Sequence, residues 1–307
     1  MKGFYANGNK RVPKTIVLLG YLIVALLILS IFYACVRPQS MIFVVSNENE
    51  FKAAIQRISA GDTLIIKNGV YLDWSVLVPN KGTPASLITI RPQTEFGVSF
   101  STSKIADKPI FKLTGSNLIF KGFVFKDISF SKSIVELNGT QNVRFAKCQF
   151  INITGEGRER RLFILNGAAD NNEIDHCLFK NNDMVQTLTL RVAPHKIPRN
   201  THIHHNIFKN LNLKAGGEGS ETLQIAQTGI HNDFGEMKLN TLVEYNHFEN
   251  IRGDAETVSN KSNYNIYRNN TFINTNQFVL RAGHYCSVVN NTFSNSNGPA
   301  IRIYGSK

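Results

Sequence analysis

The chain has 307 residues, of which 42% are hydrophobic and only 18% are charged. This length fits one large domain plus a targeting segment, and the hydrophobic content is enough for a folded core. The formal net charge is +12 and the isoelectric point is about 9.6. A polyanionic partner would explain this charge, whether nucleic acid, an anionic membrane or an acidic glycan. The alternative is a solvated basic surface that only aids solubility.

Residues 1–40 are predicted to be a signal or anchor segment. Four basic residues among the first 14 precede an apolar run from Thr15 to Val36. A positive flank of this kind stays on the cytoplasmic side, so the remainder is expected outside the cytoplasm. The run suits a spanning helix, and Ala34 followed by Cys35 is similar to a lipoprotein cleavage site. A membrane anchor, a lipoprotein of the cell envelope and free secretion therefore all remain open.

Export also bears on the choice of partner. The basic residues are scattered along the chain rather than clustered. Because an exported protein is removed from the usual nucleic acids, nucleic-acid binding is not expected.

The second predicted domain, residues 41–307, begins with a short helix. Residues 46–50 combine cap residues with early acids, the pattern of a helix start. Phe51, Ala54, Ile55 and Ile58 follow on one face. The first coil of a solenoid has no neighbour, and an amphipathic helix can cap it. Residues 63–66 and 87–90 are then predicted as short strands.

A repeated pattern of short apolar strands dominates the rest of the chain. Each copy ends in a phenylalanine, and the spacings between them are 25, 29, 29, 40, 24 and 21 residues. The phenylalanines are Phe125, Phe150, Phe179, Phe208, Phe248, Phe272 and Phe293. These are coil lengths of a solenoid with loops of varied size. The pattern predicts an all-β, single-stranded, right-handed parallel β-helix.

A second column lies two residues before each phenylalanine from Phe150 onward. Its members are Cys148, Cys177, Asn206, Asn246, Asn270 and Asn291. Stacked asparagines can hydrogen-bond from coil to coil along a bend. The two cysteines are predicted to be stacked core residues rather than a disulfide, since free cysteine buries readily.

Charged residues gather in one late stretch of the repeat. Asp254 and Glu256 are one residue apart, so on a strand they point the same way. Lys261 lies five residues further on, and Arg281 follows it by about one coil. In a coil stack these residues would share one patch of surface. An ordinary acidic strand edge with a surface lysine is the alternative.

Three runs resemble polysaccharide lyases of family 6, the group of alginate lyases and chondroitinase B. They are residues 256–262 (Glu-Thr-Val-Ser-Asn-Lys-Ser), the Leu-Arg-x-Gly turn at 280–283, and residues 301–305 (Ile-Arg-Ile-Tyr-Gly). They occur in order and at coil-length spacing, and the likeness extends from about Ala53 to Lys307. The resemblance implies β-elimination on an acidic polysaccharide and a parallel β-helix of the pectin lyase type.

The resemblance also implies roles for residues. Lys261 matches the family's catalytic base and Arg281 its catalytic acid, while Arg302 matches a substrate-binding arginine. A buried arginine can also act by stabilising charge that develops on a leaving oxygen. Arg281 and Arg302 could instead pair with acids on adjacent coils.

A calcium site is implied as well. Asp254 and Glu256 match two calcium ligands of the family. The third is an asparagine in an Asn-Gly-Gly-Glu motif, whose place is taken here by Glu218 in Glu-Gly-Ser-Glu. A carboxylate still suits calcium, a hard cation that takes oxygen ligands.

Three further residues receive weaker predictions, and three histidines receive none from the resemblance. Glu221 is expected to assist Glu218 or the substrate, and His284 and Tyr285 are expected to line the cleft unless they are loop residues. His202 and His204 share a strand face, and His205 points away from it. The resemblance does not use these three histidines, so we interpret them as solvent-face residues.

Two departures from the family pattern affect the expected activity. The family's Leu-Arg-His-Gly turn carries Ala282 here, and the sequence ends soon after the Ile-Arg-Ile-Tyr-Gly strand. These departures suggest a truncated gene product, or an open end that pairs with another chain. A catalytically weak or inactive glycan-binding protein and a structural surface solenoid are therefore alternatives to a lyase. Alginate is the preferred substrate and dermatan sulfate the second.

Overall fold

The computed structural model describes residues 40–213, 218–227 and 237–304. These residues form a parallel β-helix of 26 strands and one short helix, which confirms the predicted fold. The predicted targeting segment, residues 1–40, lies outside the described residues except for Ser40. In the described part of the chain, no helix is both long and apolar enough to cross a membrane.

The first face of the β-helix is a ten-stranded parallel sheet. Its strands are β1 (Ile42–Val45), β2 (Thr63–Ile66), β5 (Ile88–Pro92), β8 (Ser116–Lys121), β11 (Gln141–Ala146), β14 (Glu173–Asp175), β17 (His202–His204), β20 (Leu242–Glu244), β22 (Ile266–Arg268) and β24 (Ser287–Val289). The sequence did not predict β1. This strand precedes the helix and pairs in parallel with β2.

The second face contains seven strands of its own. They are β3 (Gly69–Leu72), β6 (Val98–Ser101), β9 (Val124–Phe130), β12 (Gln149–Gly155), β15 (Leu178–Lys180), β18 (Ile207–Leu211) and β25 (Thr292–Ser294). The third face contains another seven. They are β4 (Val76–Val78), β7 (Phe111–Leu113), β10 (Ser133–Asn138), β13 (Arg161–Asn166), β16 (Gln186–Leu190), β19 (Leu223–Ile225) and β26 (Ile301–Ile303).

Two long strands join the second and third faces. The strand β21 (His247–Lys261) pairs with β18 near its start and with β19 near its end. The strand β23 (Thr271–Ala282) runs beside β21, and their register shifts at three points. Such irregularities bend a strand and re-aim its side chains. Asp254 lies within the first of these shifts, and Glu256 and Lys261 lie at the shifts that follow.

The phenylalanine column stacks inside the coil as predicted. Phe125, Phe150 and Phe179 follow one another with ring centroids 4.7 and 4.8 Å apart. The column continues without a break to Phe293, whose ring centroid lies 4.7 Å from that of Phe272. Each coil thus buries its apolar ring against the next, which is the main hydrophobic gain available to a solenoid.

The asparagine ladder is also present. The backbone N–H of Asn206 donates to Asn246 Oδ1 at 3.0 Å, and that of Asn246 donates to Asn270 Oδ1 at 2.9 Å. The cysteines extend the same column, since the backbone N–H of Cys177 donates to Asn206 Oδ1. Cys148 and Cys177 are free and buried, as predicted.

The capping helix α1 (Glu48–Ile55) covers the first coils. Asn47 is its N-cap, because the Asn47 side chain accepts the backbone N–H of Glu50. Phe51, Ala54 and Ile55 are buried, so the predicted apolar face is the one that packs on the core.

The histidines of the first face are less exposed than predicted. His204 is only 9% exposed, because its ring lies close to the ring of His202 and to Glu173. His204 lies on the outward side of the strand as predicted, but neighbouring side chains cover it, so the expected exposure to solvent is wrong for His204. His205, whose backbone is left-handed, is exposed.

Replacing Asn246 by alanine tests the ladder. The Asn246 side chain donates to the carbonyls of Ile203 and Glu244 and accepts from Asn206. Asn246→Ala leaves those buried groups without partners, which costs on the order of 3 kcal/mol. We expect a clearly lower urea midpoint of unfolding. The control Asn49→Ala removes an exposed helical asparagine and should leave the midpoint unchanged; equal midpoints for both variants would contradict the ladder's contribution.

Candidate active site

A cleft of about 460 Å³ opens on the third face, beside β16, β19 and the later parts of β21 and β23. It lies where successive coils bring together residues that are 20 to 35 positions apart in sequence. Its lining residues are Gln186, Glu218, Gly219, Glu221, Gln224, Gly253, Asp254, Ala255, Glu256, Lys261 and Arg281. The cleft therefore collects the predicted base, the predicted acid and all three predicted metal ligands.

Lys261 is buried in this cleft, with 4% of its side chain exposed. Its Nζ lies 3.8 Å from Glu221 Oε1. The Glu221 carboxylate is itself fixed, because Gln186 Nε2 donates to one oxygen at 2.7 Å and Gln224 Nε2 donates to the other at 2.8 Å. The amine is thus held beside a carboxylate that cannot turn away, a supporting arrangement of the kind that keeps reactive groups in place.

Asp254 is held from three sides by backbone groups. Its Oδ2 accepts the N–H of Gly219 at 2.8 Å and of Ser220 at 3.1 Å, and its Oδ1 accepts the N–H of Glu256 at 3.0 Å. Burial, followed by the charge of Glu221, raises the pKa of Asp254 above its ordinary value. Loss of hydration is therefore the main penalty on the charged Asp254 carboxylate, and repulsion from Glu221 adds to it.

Arg281 pairs with the other acid of the strand. Its Nε lies 2.9 Å from Glu256 Oε1, and about a third of its side chain is exposed. Burial opposes the effect, but the Glu256 carboxylate raises the pKa of Arg281, so the guanidinium stays charged. Arg281 and Arg302 both approach the ring of Tyr304, with guanidinium carbons 5.2 and 4.1 Å from its centroid.

A buried asparagine links the turns that carry the base and the acid. Asn260 Nδ2 donates to the carbonyl of Ser262 at 3.0 Å and to that of Ala282 at 2.7 Å. Asn260 Oδ1 accepts from Asn265 Nδ2 and from the hydroxyl of Tyr267. Because Asn260 precedes Lys261 and Ala282 follows Arg281, this side chain fixes the spacing between the two cationic residues.

The turn after Arg281 needs a glycine. Gly283 has φ of +113°, and a Cβ there would clash with the carbonyl of Ser262. This close approach brings the backbone after Lys261 against the backbone after Arg281. The glycine of the Leu-Arg-x-Gly run thus has a steric reason, whereas Ala282 makes no side-chain hydrogen bond.

The donor set fits a hard divalent cation. Four carboxylates (Glu218, Glu221, Asp254 and Glu256) face two cations, which leaves an excess of two negative charges in the cleft. Glu256 Oε2 is buried and has no hydrogen-bond partner among the described residues. Calcium is bound by oxygen ligands of this kind, so the residues present fit the implied ion.

The remaining predicted residues lie further from the cleft. Arg302 is exposed on β26 and lies over the same Tyr304 ring that Arg281 approaches. His284 and Tyr285 are exposed beyond the end of β23 and do not line the cleft; the Tyr285 ring stacks on Tyr264 instead. The structure thus brings together the catalytic and metal predictions, while the predictions for His284 and Tyr285 gain no support from position.

Several supporting residues received no role from the sequence. They are Gln186, Gln224, Asn260 and Tyr304. The first two lie on strands whose coil spacing is irregular, so no motif connected them to Glu221. Asn260 and Tyr304 stood inside the matching runs, and an asparagine next to the predicted base was the one signal that could have drawn attention to its side chain.

One lateral cleft of this parallel β-helix contains a buried lysine, an arginine and clustered carboxylates. These features place the protein in the class of polysaccharide-lyase-like proteins. The family model for chondroitinase B matches residues 45–306, so the chain belongs to the chondroitinase B family, within polysaccharide lyase family 6. No curated protein sequence matches the chain.

Solved structures agree with this assignment. The chain is 27% identical to the family 6 alginate lyase AlyGC, with a TM-score of 0.74 over 83% of this chain and 35% of that one. A mannuronic acid specific family 6 lyase from human gut microbiota is 24% identical, with a TM-score of 0.71 over 83% of this chain and 59% of that one.

A third similar structure is a family 6 polysaccharide lyase from Pseudopedobacter saltans, 23% identical, with a TM-score of 0.70 over 86% of this chain and 61% of that one. The two less identical structures bear on the fold alone. The chain spans between about a third and three fifths of the length of these three proteins.

Replacing Gly283 by alanine tests the close approach between the two turns. A matched control is Gly139→Ala, since Gly139 also has positive φ but has no neighbour within 4 Å of a new Cβ. The control carries only the conformational cost, about 1–2 kcal/mol. We expect Gly283→Ala to lower the urea midpoint clearly further, because the clash adds to that cost. Similar midpoints for the two variants would show that the turns are not held in contact.

Proposed function

We propose that the protein is a calcium-dependent lyase that cleaves a uronate-containing polysaccharide by β-elimination. The observation that carries the proposal is the meeting of Lys261 and Arg281 in the cleft that also holds Asp254 and Glu256. A base, a cation and a cluster of hard oxygen donors are the three groups that this reaction requires.

In the proposed reaction, Lys261 first releases its own proton to solvent and then, as a neutral amine, takes the proton from C5 of the uronate. The electron pair of the broken C5–H bond forms the C4–C5 double bond, and the C4–O4 bond breaks. Arg281 lies beside the departing oxygen, where its guanidinium stabilises the developing negative charge and supplies hydrogen bonds. The departing O4 takes a proton from water, and Lys261 returns its extra proton to solvent. The products are a shorter chain and a chain with an unsaturated uronate at its new end.

The other side chains hold these groups in place. Gln186 and Gln224 orient Glu221, which keeps the Lys261 side chain in the cleft. Asn260 holds the two turns at a constant spacing. Glu218, Asp254 and Glu256 would hold calcium, which when bound neutralises the substrate carboxylate and so makes the C5 proton more acidic.

Alginate is the proposed substrate. The support is the likeness to AlyGC, an alginate lyase by name, at 27% identity. An acidic polymer also suits the net charge of +12. Dermatan sulfate is the second candidate, because the matching family model is that of chondroitinase B. Both polymers carry a uronate carboxylate next to an abstractable C5 proton.

We also propose that residues 1–40 direct the protein out of the cytoplasm, as an anchor, a lipoprotein or a secreted form, and that residues 41–307 are the catalytic domain. The basic flank and apolar run of the first segment support this proposal. A large acidic polymer would be met outside the cell, so the proposed site and the proposed location agree.

The activity is tested by ultraviolet absorbance of the C4–C5 double bond. The full chain is offered alginate and, separately, dermatan sulfate. We expect absorbance to rise with one of them, and Lys261→Ala to reduce the rate at least a thousandfold because the base is lost. Lys209→Ala is the control, since Lys209 pairs with Glu249 on the second face. If folded protein binds both polymers but the absorbance stays flat, the lyase proposal is wrong. The protein would then be a non-catalytic glycan-binding protein.

The calcium requirement is tested separately with Glu256→Gln. This change keeps the size of the side chain but removes a charged oxygen donor, so we expect calcium affinity to fall at least tenfold by isothermal titration calorimetry. Glu249→Gln lies on the same strand but away from the cleft and should bind calcium normally. Activity that persists in a strong chelator would rule out a calcium-dependent mechanism while leaving the roles of Lys261 and Arg281 intact.

A further inference from the structure

A second cluster of possible metal ligands lies on the first face, away from the cleft on the third face. Glu173 is on β14, and His202 and His204 are on the adjacent strand β17. One ligand atom from each of the three side chains lies within 4.8 Å of the others. His204 Nε2 is 2.8 Å from Glu173 Oε1, and the two imidazole centroids are 3.9 Å apart.

The parallel register explains this convergence. Glu173 pairs with His202, and Asp175 pairs with His204. The side chains at these positions alternate with the buried Ile174 and Ile203, so they all point outward from the same face. The His-x-His spacing on one strand thus meets a carboxylate that the preceding coil supplies.

The neighbouring carboxylates already have strong partners. Asp175 accepts two hydrogen bonds from Arg144, at 2.8 and 2.7 Å, and Glu244 accepts one from Arg268 at 2.6 Å. Glu173 is less well paired, since its closest contact with Arg144 is 3.6 Å. The negative charge of the Glu173 carboxylate is therefore less neutralised by arginine, and this carboxylate can bind another cation.

The histidines also have supporting contacts of the kind found around metal ligands. His202 Nε2 lies 2.9 Å from Glu244 Oε1, and His204 Nδ1 lies 2.8 Å from His205 Nδ1. A ligand histidine commonly uses its second ring nitrogen, or a nearby carboxylate, to fix its tautomer and orientation. His205 and Glu244 can perform this function here.

We propose that Glu173, His202 and His204 form a zinc site that joins two successive coils. Two imidazoles and one carboxylate are ligands that favour zinc over calcium, which takes oxygen donors. Tetrahedral coordination with bonds of about 2.1 Å places ligand atoms roughly 3.4 Å apart, so modest side-chain rotations suffice. The partly exposed position leaves space for water as the fourth ligand.

The test measures zinc binding to the metal-free full chain. Isothermal titration calorimetry gives the affinity, and the absorption spectrum of cobalt, used in place of zinc, reports the ligands. We expect one zinc equivalent outside the cleft, and affinity at least a hundredfold weaker in both His202→Ala and His204→Ala. Zinc should raise the melting temperature of the wild type but not of these variants, since only the native state holds the site together.

Two control variants separate this site from other histidines and from the cleft. His247→Ala removes a histidine that pairs with Glu249 on the second face, and it should keep the zinc equivalent. Glu256→Gln weakens the proposed calcium site, and this variant should also still bind one equivalent of zinc. Unchanged zinc affinity in His202→Ala and His204→Ala, with both variants folded by circular dichroism, would overturn the proposal, and so would a wild type that binds no zinc.

Discussion

The parallel register between coils is the constraint on which every other feature depends. Each coil lies on the next so that a backbone position is repeated along the stack, and side chains at that position form a column. Apolar columns give the stacked phenylalanines, and polar columns give the asparagine ladder. The same translation brings Glu221 beside Glu256, since the N–H of Thr222 donates to the carbonyl of Thr257. Distant parts of the sequence therefore become one cleft.

Register also explains how charged groups are kept at close range. Burying carboxylates together is costly, because each loses hydration and repels the others. The protein offsets this cost with backbone N–H groups at Asp254, with Gln186 and Gln224 at Glu221, and with Arg281 at Glu256. The compensation is incomplete, as the raised pKa of Asp254 and the unpartnered oxygen of Glu256 show. A site that remains short of positive charge is well suited to bind a cation.

The sequence predicted the columns better than it predicted the contacts around them. Phenylalanine and asparagine recur at fixed positions within each coil, so their stacking followed from spacing alone. Lys261 and Arg281 could be placed because they stand in recognisable runs. The roles of Gln186 and Tyr304 depend on which coil lies beside which, and variable coil lengths hide that. The burial of His204 was missed for the same reason, because its partner Glu173 comes from the preceding coil.

Variable coil length has a consequence for how such proteins diversify. The spacing from Phe208 to Phe248 is 40 residues, yet their rings stack at 4.8 Å, like those of coils far shorter. The greater length of this coil therefore leaves the spacing of the ring stack unchanged. Insertions and deletions at corners are thus nearly neutral for the core. The length of a coil can thus differ from that of its neighbours while the stacked core stays constant.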